Sequence, residues 1–291
     1  MTRLALYDRV AHEASADVIR SYSTSFGLAS RLLGAEVRSH VENIYALVRV
    51  ADEIVDGPAA EAGNDAEVCA RILDAFEAET EQAIQLGFSA NLVVHAFAAT
   101  ARETGFGAEL TAPFFTSMRN DLEQSEHDAE SFDTYVYGSA EVVGLMCLRA
   151  FVQGRSYDKV TSERLVRGAR ALGAAFQKVN FLRDLSDDFE TLGRSYFPGV
   201  DPTSFTDAER DRLVADIDDD LRVSGEIIPL LPNSSRRAVA LAHGLFAELN
   251  RRLAVTPASE LMHTRIRVPN PVKLRIAAAS AAGRITTVGA R

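Results

Sequence analysis

The chain has 291 residues, of which 47% are hydrophobic and 25% are charged, a composition typical of folded globular proteins and unlike that of disordered ones. Its 41 acidic and 31 basic side chains give a net charge of −10, which argues against nucleic-acid binding through phosphate neutralisation. Neither an apolar signal segment nor an apolar run of membrane-spanning length is evident. We therefore expect a cytoplasmic protein without a transmembrane segment.

Helical periodicity dominates the chain, and only two of the nine prolines lie before residue 198. Ser39 followed by Glu42 predicts a capping box at the start of one helix, and Thr206 followed by Glu209 predicts another. Alternating patterns of β-branched residues, which would indicate strands, are scarce. We expect about eight to ten helices, no sheet and a single all-α domain over residues 1–291.

A polar stripe lies along the predicted helix at residues 41–56. At 100° per residue, Tyr45, Arg49, Asp52 and Asp56 fall within about 60° of one another. Most of the remaining circumference is apolar, which predicts a central helix whose charged stripe lines an internal cavity. Because isolated buried charges are unfavourable, we expect cationic partners for these carboxylates.

A later helix repeats this geometry. Gln177, Asn180, Asp184 and Asp188 again fall in one stripe, with Arg183 beside it and apolar residues over much of the rest. A single Asp-x-x-x-Asp pair is also common on solvated helix faces. Two such pairs on two largely apolar helices, each with a neighbouring arginine, favour a functional site.

These paired carboxylates are typical of diphosphate chemistry. Mg²⁺ prefers octahedral oxygen ligands and is usually held by one or two carboxylates together with substrate phosphates. Metal ions and arginines neutralise a diphosphate and stabilise it as a leaving group. An apolar cavity suits a long hydrocarbon and protects a carbocation from water. The stripes therefore predict a magnesium site that binds a diphosphate with a hydrocarbon chain.

Three segments resemble the squalene/phytoene synthase family. They are YSTSF with YALVRVADEIVD (22–26 and 45–56), YVYGSAEVVGLM (135–146) and AFQKVNFLRDLSDDFETLGRSYFP (175–198). Their order and spacing agree over nearly the whole chain, and the similarity is greatest to bacterial carotenoid-pathway members. The resemblance implies an isoprenoid-synthase helical bundle around a central cavity. It also implies head-to-head condensation of two prenyl diphosphates through a cyclopropylcarbinyl diphosphate.

The resemblance implies roles for individual residues. The implied metal and diphosphate site consists of Asp52, Asp56, Asn180, Asp184 and Asp188. The implied substrate contacts are Ser25, Tyr45, Arg49, Gln177, Asn180, Arg183, Arg265 and Lys273. Tyr135, Arg49 and Arg183 are the implied catalytic residues. Tyr135 matches a tyrosine near the reacting carbons, where a phenol could assist proton movement or stabilise positive charge.

The chain departs from the family pattern at several positions. Glu53 stands where many members have a second aspartate, and its offset of about 80° from the stripe predicts a peripheral side chain. Glu141, in the segment 135–146, replaces a glycine that is usual at this position in the family. Phe246 stands where some members present a tyrosine hydroxyl, so we expect that contact to be missing.

The leading hypothesis is a prenyltransferase that joins two C20 geranylgeranyl diphosphates, through prephytoene diphosphate, into the C40 triene phytoene with release of diphosphate. Two or three Mg²⁺ ions would be its cofactors, with Mn²⁺ as a substitute. NADPH is not expected, because nothing in the chain resembles a dinucleotide-binding loop. Two alternatives stay open: a C30 squalene or dehydrosqualene synthase that uses farnesyl diphosphate, and a non-catalytic helical assembly factor of the same fold.

Basic residues concentrate at the C-terminal end. Residues 236–291 contain ten basic side chains against Glu248 and Glu260, a net charge of +8. One interpretation is peripheral contact with a membrane surface, and the other is a solvated helical face. No nucleic-acid partner is expected, and the oligomeric state stays open.

Overall fold

A computed structural model describes residues 2–124, 126–187, 189 and 194–283, except for the side chains of residues 24, 25 and 187. The α-helices are α1 (Arg3–Tyr22), α2 (Thr24–Ser30), α3 (Ala35–Val55), α4 (Pro58–Glu61), α5 (Ala66–Leu86), α6 (Leu92–Thr104), α7 (Ala108–Glu123), α8 (Ala129–Val136), α9 (Val142–Val152), α10 (Lys159–Asp187), α11 (Asp207–Gly225), α12 (Asn233–Val255), α13 (Ala258–Leu261) and α14 (Asn270–Ala281). A π-helical turn, Tyr137–Glu141, joins α8 to α9. The described residues form no strand, only an isolated bridge between Glu126 and Ser195.

The all-α prediction is confirmed, whereas the helix starts agree only in part. Thr206 and Glu209 form the predicted capping box at the start of α11. The capping box predicted at Ser39 is wrong, because α3 begins at Ala35 and the Ser39 hydroxyl donates to the Ala35 carbonyl at 3.2 Å. The residue that precedes α3 is held by a part of the chain distant in sequence, because the N–H of Gly34 donates to the Ser234 carbonyl at 2.8 Å.

Helix α3 occupies the centre of the fold, as its mostly apolar circumference predicts. It packs against α1, α5, α6, α7 and α9. Ile44 and Leu47 of α3 are fully buried and belong to one apolar cluster with Leu73, Phe97 and Phe114 from the surrounding helices. Burial of side chains of this size contributes about 1.5–3 kcal/mol each, so this packing fixes the position of α3.

Helices α9 and α10 cross at very close range. A Cβ atom at Gly173 would lie 2.4 Å from the carbonyl oxygen of Ala140, and one at Gly144 would lie 2.4 Å from that of Ala169. Larger side chains at these two glycines would push the helices apart. Glu141, which replaces a glycine of the family pattern, forms an ion pair with Arg170 of α10. Its side chain is therefore accommodated at the crossing.

One helical run, Ala129–Val152, is long and apolar enough to cross a membrane by length and composition. This finding differs from the expectation that no apolar run reaches membrane-spanning length. Half of it is buried inside the protein, and the core helix of a soluble protein passes the same test. The run is therefore weak evidence for a membrane span.

Candidate active site

A cavity of about 800 Å³ is enclosed mainly by α2, α3, α9, α10 and α12 and by the segment that leads into α14. This volume lies toward the upper end of the usual range for ligand sites. What we call the charged end of the cavity is lined by Arg49, Asp52, Asn180, Arg183, Arg265 and Lys273. What we call the apolar end is lined by Leu148, Phe151, Leu172, Ile227, Leu231 and Val239.

Helix α10 runs along the cavity from one end to the other. Ala169, Gly173, Phe176, Asn180 and Arg183 all line the cavity wall, at the spacing of one helix face. From the first to the last of these residues the helix rises about 21 Å. The apolar first part and the polar last part of this one helix therefore give the cavity its two chemically distinct ends.

Most of the predicted site residues meet in this cavity. Its wall includes Tyr45, Arg49, Asp52, Gln177, Asn180, Arg183, Arg265 and Lys273. Asp56 and Asp184 are outside the lining set, but each is paired with an arginine at the charged end or close to it. Asp188 and the Ser25 side chain lie outside the described residues, so their predicted roles stay predictions.

Asp52 lies in the cavity wall in an environment that disfavours its charge. Burial, together with the nearby Asp56 carboxylate, raises the pKa of Asp52 to about 8, although Arg49 acts in the opposite direction. The shift comes first from the loss of contact with water and second from the neighbouring Asp56 carboxylate. A cation placed there would restore the ionised carboxylate.

Arg49 is held between the cavity and the neighbouring helix. Its guanidinium lies over the Tyr22 ring, 4.5 Å from the centroid, and pairs with the carboxylate of Glu53. Glu53 is outside the set of cavity-lining residues, as its offset from the stripe predicts, although one turn of helix brings its carboxylate to Arg49. The buried Nε of Arg49 has no hydrogen-bond partner among the described residues. A buried donor without an acceptor is unfavourable for the fold.

Asp56 belongs to an ionic network that also contains Arg194 and Asp121. Arg194 donates to the Asp56 carboxylate at 2.6 Å and lies 3.7 Å from the carboxylate of Asp121. Asp121 also accepts hydrogen bonds from the hydroxyl of Tyr135, at 2.8 and 2.9 Å. Burial raises the pKa of Asp121 to about 7, and Arg194 opposes this shift.

The structure does not place Tyr135 in the cavity wall. Its side chain is buried, its hydroxyl is bonded to Asp121, and its ring packs against Tyr196 and Phe181. Burial raises the pKa of Tyr135 well above its usual value, with Asp121 acting in the same direction. The phenol is therefore held neutral. Its predicted role at the reacting carbons stays a prediction, and the hydroxyl would have to turn from Asp121 to reach the cavity.

The polar stripe of α10 finds its partners at the mouth of the cavity. Asp184 accepts from Arg183 at 2.9 Å and from Arg265 at 2.9 and 3.1 Å. The segment that carries Arg265 is fastened to α10 because Ser186 donates to the Met262 carbonyl at 2.8 Å. Asp184 thereby orients two arginines at the charged end, where they could receive an anion.

Three phenylalanines form the wall between the two ends. The rings of Phe176 and Phe246 are stacked with centroids 3.9 Å apart, and Phe26 lies 5.5 and 5.7 Å from them. Phe246 brings no hydroxyl to the cavity, as its residue type predicts. Aromatic faces carry negative charge density, so this group suits a carbocation.

A divalent cation fits the charged end on charge and on donor chemistry. Helix α3 ends next to Asp56 and α10 ends at Asp187, so the negative ends of two helix dipoles lie near the carboxylates. Carboxylate and amide oxygens from Asp52 and Asn180, both in the wall, are ligands that Mg²⁺ accepts. No three His, Cys, Asp or Glu side chains form a metal-binding group within the part of the chain that the structure describes. The bound phosphates would have to supply the remaining ligands.

The ionic network contains three residues that the polar stripes do not predict: Asp121, Arg194 and Tyr196. Arg194 and Tyr196 lie in the GRSYFP part of a segment that carries the family resemblance, which is a usable signal. Asp121 lies on α7 without a polar stripe around it. Nothing in its local sequence predicts a partner 73 residues away.

Comparison with known proteins identifies the family of this chain. The family described as squalene/phytoene synthase matches residues 19–271. A solved dehydrosqualene synthase in complex with ligand superposes with a TM-score of 0.71 at 21% identity, covering 95% of this chain and 97% of that one. The chain belongs to the squalene/phytoene synthase family.

Individual relatives differ in how much of their length is shared. Phytoene synthase 3 of Zea mays, a chloroplastic protein, is 33% identical over 194 residues, which cover 65% of this chain but only 43% of the maize protein. Phytoene synthase of Mycobacterium bovis is 27% identical over 298 residues and covers 95% of this chain and 92% of its own. The chain is thus similar to plant and bacterial phytoene synthases.

Proposed function

We propose that this protein is a phytoene synthase, a magnesium-dependent prenyltransferase that joins two geranylgeranyl diphosphates head to head and releases diphosphate. The observation that carries the proposal is the division of one cavity into a charged end and an apolar end. A prenyl diphosphate has the same division. Relatives that are phytoene synthases support the C20 substrate.

The residues of the charged end have distinct tasks in this proposal. Arg49, Arg183 and Arg265 would bind the diphosphates, and the Nε of Arg49 is already desolvated for that contact. Asp52, Asp56, Asn180, Asp184 and Asp188 would hold magnesium, which supplies charge neutralisation of the leaving diphosphate. The apolar wall and the three phenylalanines would exclude water from the carbocation.

Product analysis by mass spectrometry tests the proposal. Purified protein is incubated with Mg²⁺ and either geranylgeranyl or farnesyl diphosphate, with and without NADPH, while diphosphate release is followed. We expect a C40 triene from geranylgeranyl diphosphate without NADPH. A C30 product formed preferentially from farnesyl diphosphate would replace the proposal with a squalene-type synthase. Silence with both substrates would favour a non-catalytic assembly factor.

We also propose that the protein is cytoplasmic and touches a membrane surface through its basic C-terminal part. Lys273 and Arg267 line the cavity, and Leu274 and Arg275 are exposed beside them on α14. Flotation with vesicles that contain anionic lipid tests this contact. Unchanged flotation of an Arg275→Gln variant would count against it. Arg284, which adds to the basic charge, lies outside the described residues.

A further inference from the structure

We propose that Arg194 is a positioning residue that fixes the Asp56 carboxylate for cation binding and couples it to the buried Asp121–Tyr135 pair. The inference rests on the proposed function in one respect, because it takes Asp56 as a cation ligand. It goes beyond that function by giving a role to a residue outside the cavity wall.

The guanidinium of Arg194 joins the ends of two helices. Its Nη1 donates to the Asp56 carboxylate at 2.6 Å. Its Nη2 donates to the main-chain carbonyls of Val55 at 3.2 Å and Asp121 at 2.8 Å. Arg194 is only 7% exposed, so these contacts are made away from bulk water. The last turns of α3 and α7 are thereby held in one geometry by a single planar group.

The same guanidinium reaches the tyrosines behind it. Nη1 also donates to the Tyr196 hydroxyl at 3.1 Å, and Tyr196 lies 3.3 Å from the Asp121 carboxylate. That carboxylate accepts from the Tyr135 hydroxyl. A displacement of Asp56 is therefore transmitted to Tyr135 through two shared hydrogen-bonding groups, Arg194 and Asp121.

Stability alone does not account for this arrangement. One guanidinium faces the two carboxylates of Asp56 and Asp121, and the desolvation of buried ions commonly cancels what their attraction contributes. Asp56 keeps 41% of its side chain exposed, so the network ends at an open carboxylate. Groups that hold a metal-binding carboxylate from behind typically change metal affinity or activity by about 10–100-fold when they are altered.

The decisive variant is Arg194→Lys, because lysine keeps the charge but cannot donate from a planar fork to the four acceptors that Arg194 contacts. The matched control is Arg210→Lys. Arg210 is 9% exposed and pairs with Asp207, Asp211 and the Thr256 carbonyl, and none of these residues lines the cavity. Both variants lose a buried arginine network, but only one network contains a proposed cation ligand.

Mn²⁺ binding is titrated by electron paramagnetic resonance on the full chain with inorganic diphosphate present, which supplies the phosphate ligands, and turnover is measured separately. We expect Arg194→Lys to bind Mn²⁺ about 10–100-fold more weakly than wild type, and Arg210→Lys to bind it as wild type does. Equal Mn²⁺ affinity of wild type and Arg194→Lys, or equal loss in both variants, would overturn the inference. A wild type that binds no Mn²⁺ would overturn it as well.

A milder variant keeps the test decisive if Arg194→Lys does not fold. Tyr196→Phe removes one hydroxyl of the network, and we expect about a threefold weaker Mn²⁺ affinity. Unchanged affinity in that variant would then contradict the inference. Failure of the proposed function is a separate result: a wild type that releases no diphosphate from either prenyl substrate can still show the Mn²⁺ difference.

Discussion

The two ends of the cavity are built on different principles. At the charged end, two functional carboxylates are held by arginines from other parts of the chain: Asp56 by Arg194 and Asp184 by Arg265. At the apolar end, side chains such as Leu231 and Val239 belong to an ordinary buried cluster. The charged end thus depends on specific ion pairs, whereas the apolar end depends on the volume that its packed side chains leave free.

This difference predicts how the ends respond to substitution. Losing one member of a charged pair leaves a partly buried charge without its partner, which affects both cation binding and local geometry. Changing an apolar side chain alters the space available to a hydrocarbon, and well-packed interiors respond to single methylene groups. Substitutions at the charged end should therefore abolish turnover, whereas those at the apolar end should change which substrate is accepted.

The largest effect is expected for Asp52→Asn and Asp184→Asn. Each variant should lower turnover at least about 100-fold, because it removes charge that stabilises the leaving diphosphate through a cation. Circular dichroism should show unchanged helical content. Asp219→Asn, at an exposed carboxylate on α11, is the control that should keep wild-type turnover. Near-normal turnover in either cavity variant would mean that the cation site is placed wrongly.

An intermediate effect is expected for Val239→Phe at the apolar end. Val239 is buried and lines the cavity, so a larger side chain shortens the space for the hydrocarbon. We expect the ratio of C20 to C15 turnover to fall about tenfold, since hydrophobic pockets discriminate chain length by factors of this order. Val160→Phe makes the same change at an exposed position and should leave the ratio unchanged. Equal loss with both substrates would indicate damage to the charged end instead.

A smaller effect concerns the pH dependence of stability in metal-free buffer. Burial raises the pKa of Asp121 from its ordinary value of 3.8 to about 7 in the folded protein. At a pH between these two values, the folded state therefore holds a proton on Asp121 that the unfolded state has lost. Wild-type unfolding free energy should therefore receive a contribution from Asp121 that falls as pH rises, by up to about 1.4 kcal/mol per pH unit.

Urea unfolding of wild type and Asp121→Asn at about pH 5 and pH 7 measures this contribution. The stability of wild type relative to the variant should decrease between these values. Asp128→Asn serves as the control, because hydrogen bonds from Ser131 lower the pKa of Asp128 and its titration lies below this window. An increase in relative stability toward pH 7 would contradict the buried, uncompensated carboxylate at Asp121.

The sequence predicts the charged end better than the apolar one. Asp52 and Asn180 are recognisable because charge on a mostly apolar helix breaks the expected pattern. Residues such as Leu231 look like any core residue, so their place in a cavity emerges only from tertiary packing. Arg194 lies in a segment that carries the family resemblance, but its pairing with Asp56 cannot be predicted, because the two residues are 138 positions apart. Local patterns encode which face of a helix is polar, but not which distant element completes it.

The smallest effect is expected for Ser139, a polar residue in the cavity wall. Ser139 lies in the π-helical turn and lines the cavity, and its buried hydroxyl has no hydrogen-bond partner among the described residues. Ser139→Ala should raise the free energy of unfolding by about 1 kcal/mol, because it removes an unsatisfied group. Ser117→Ala is the matched control: that hydroxyl donates to the Tyr135 carbonyl at 3.1 Å, so its removal should destabilise by a similar amount. If the hydroxyl of Ser139 is retained for a ligand, thermal unfolding should show a higher unfolding temperature for Ser139→Ala and a lower one for Ser117→Ala. A loss of stability in Ser139→Ala would show that the Ser139 hydroxyl serves the fold instead.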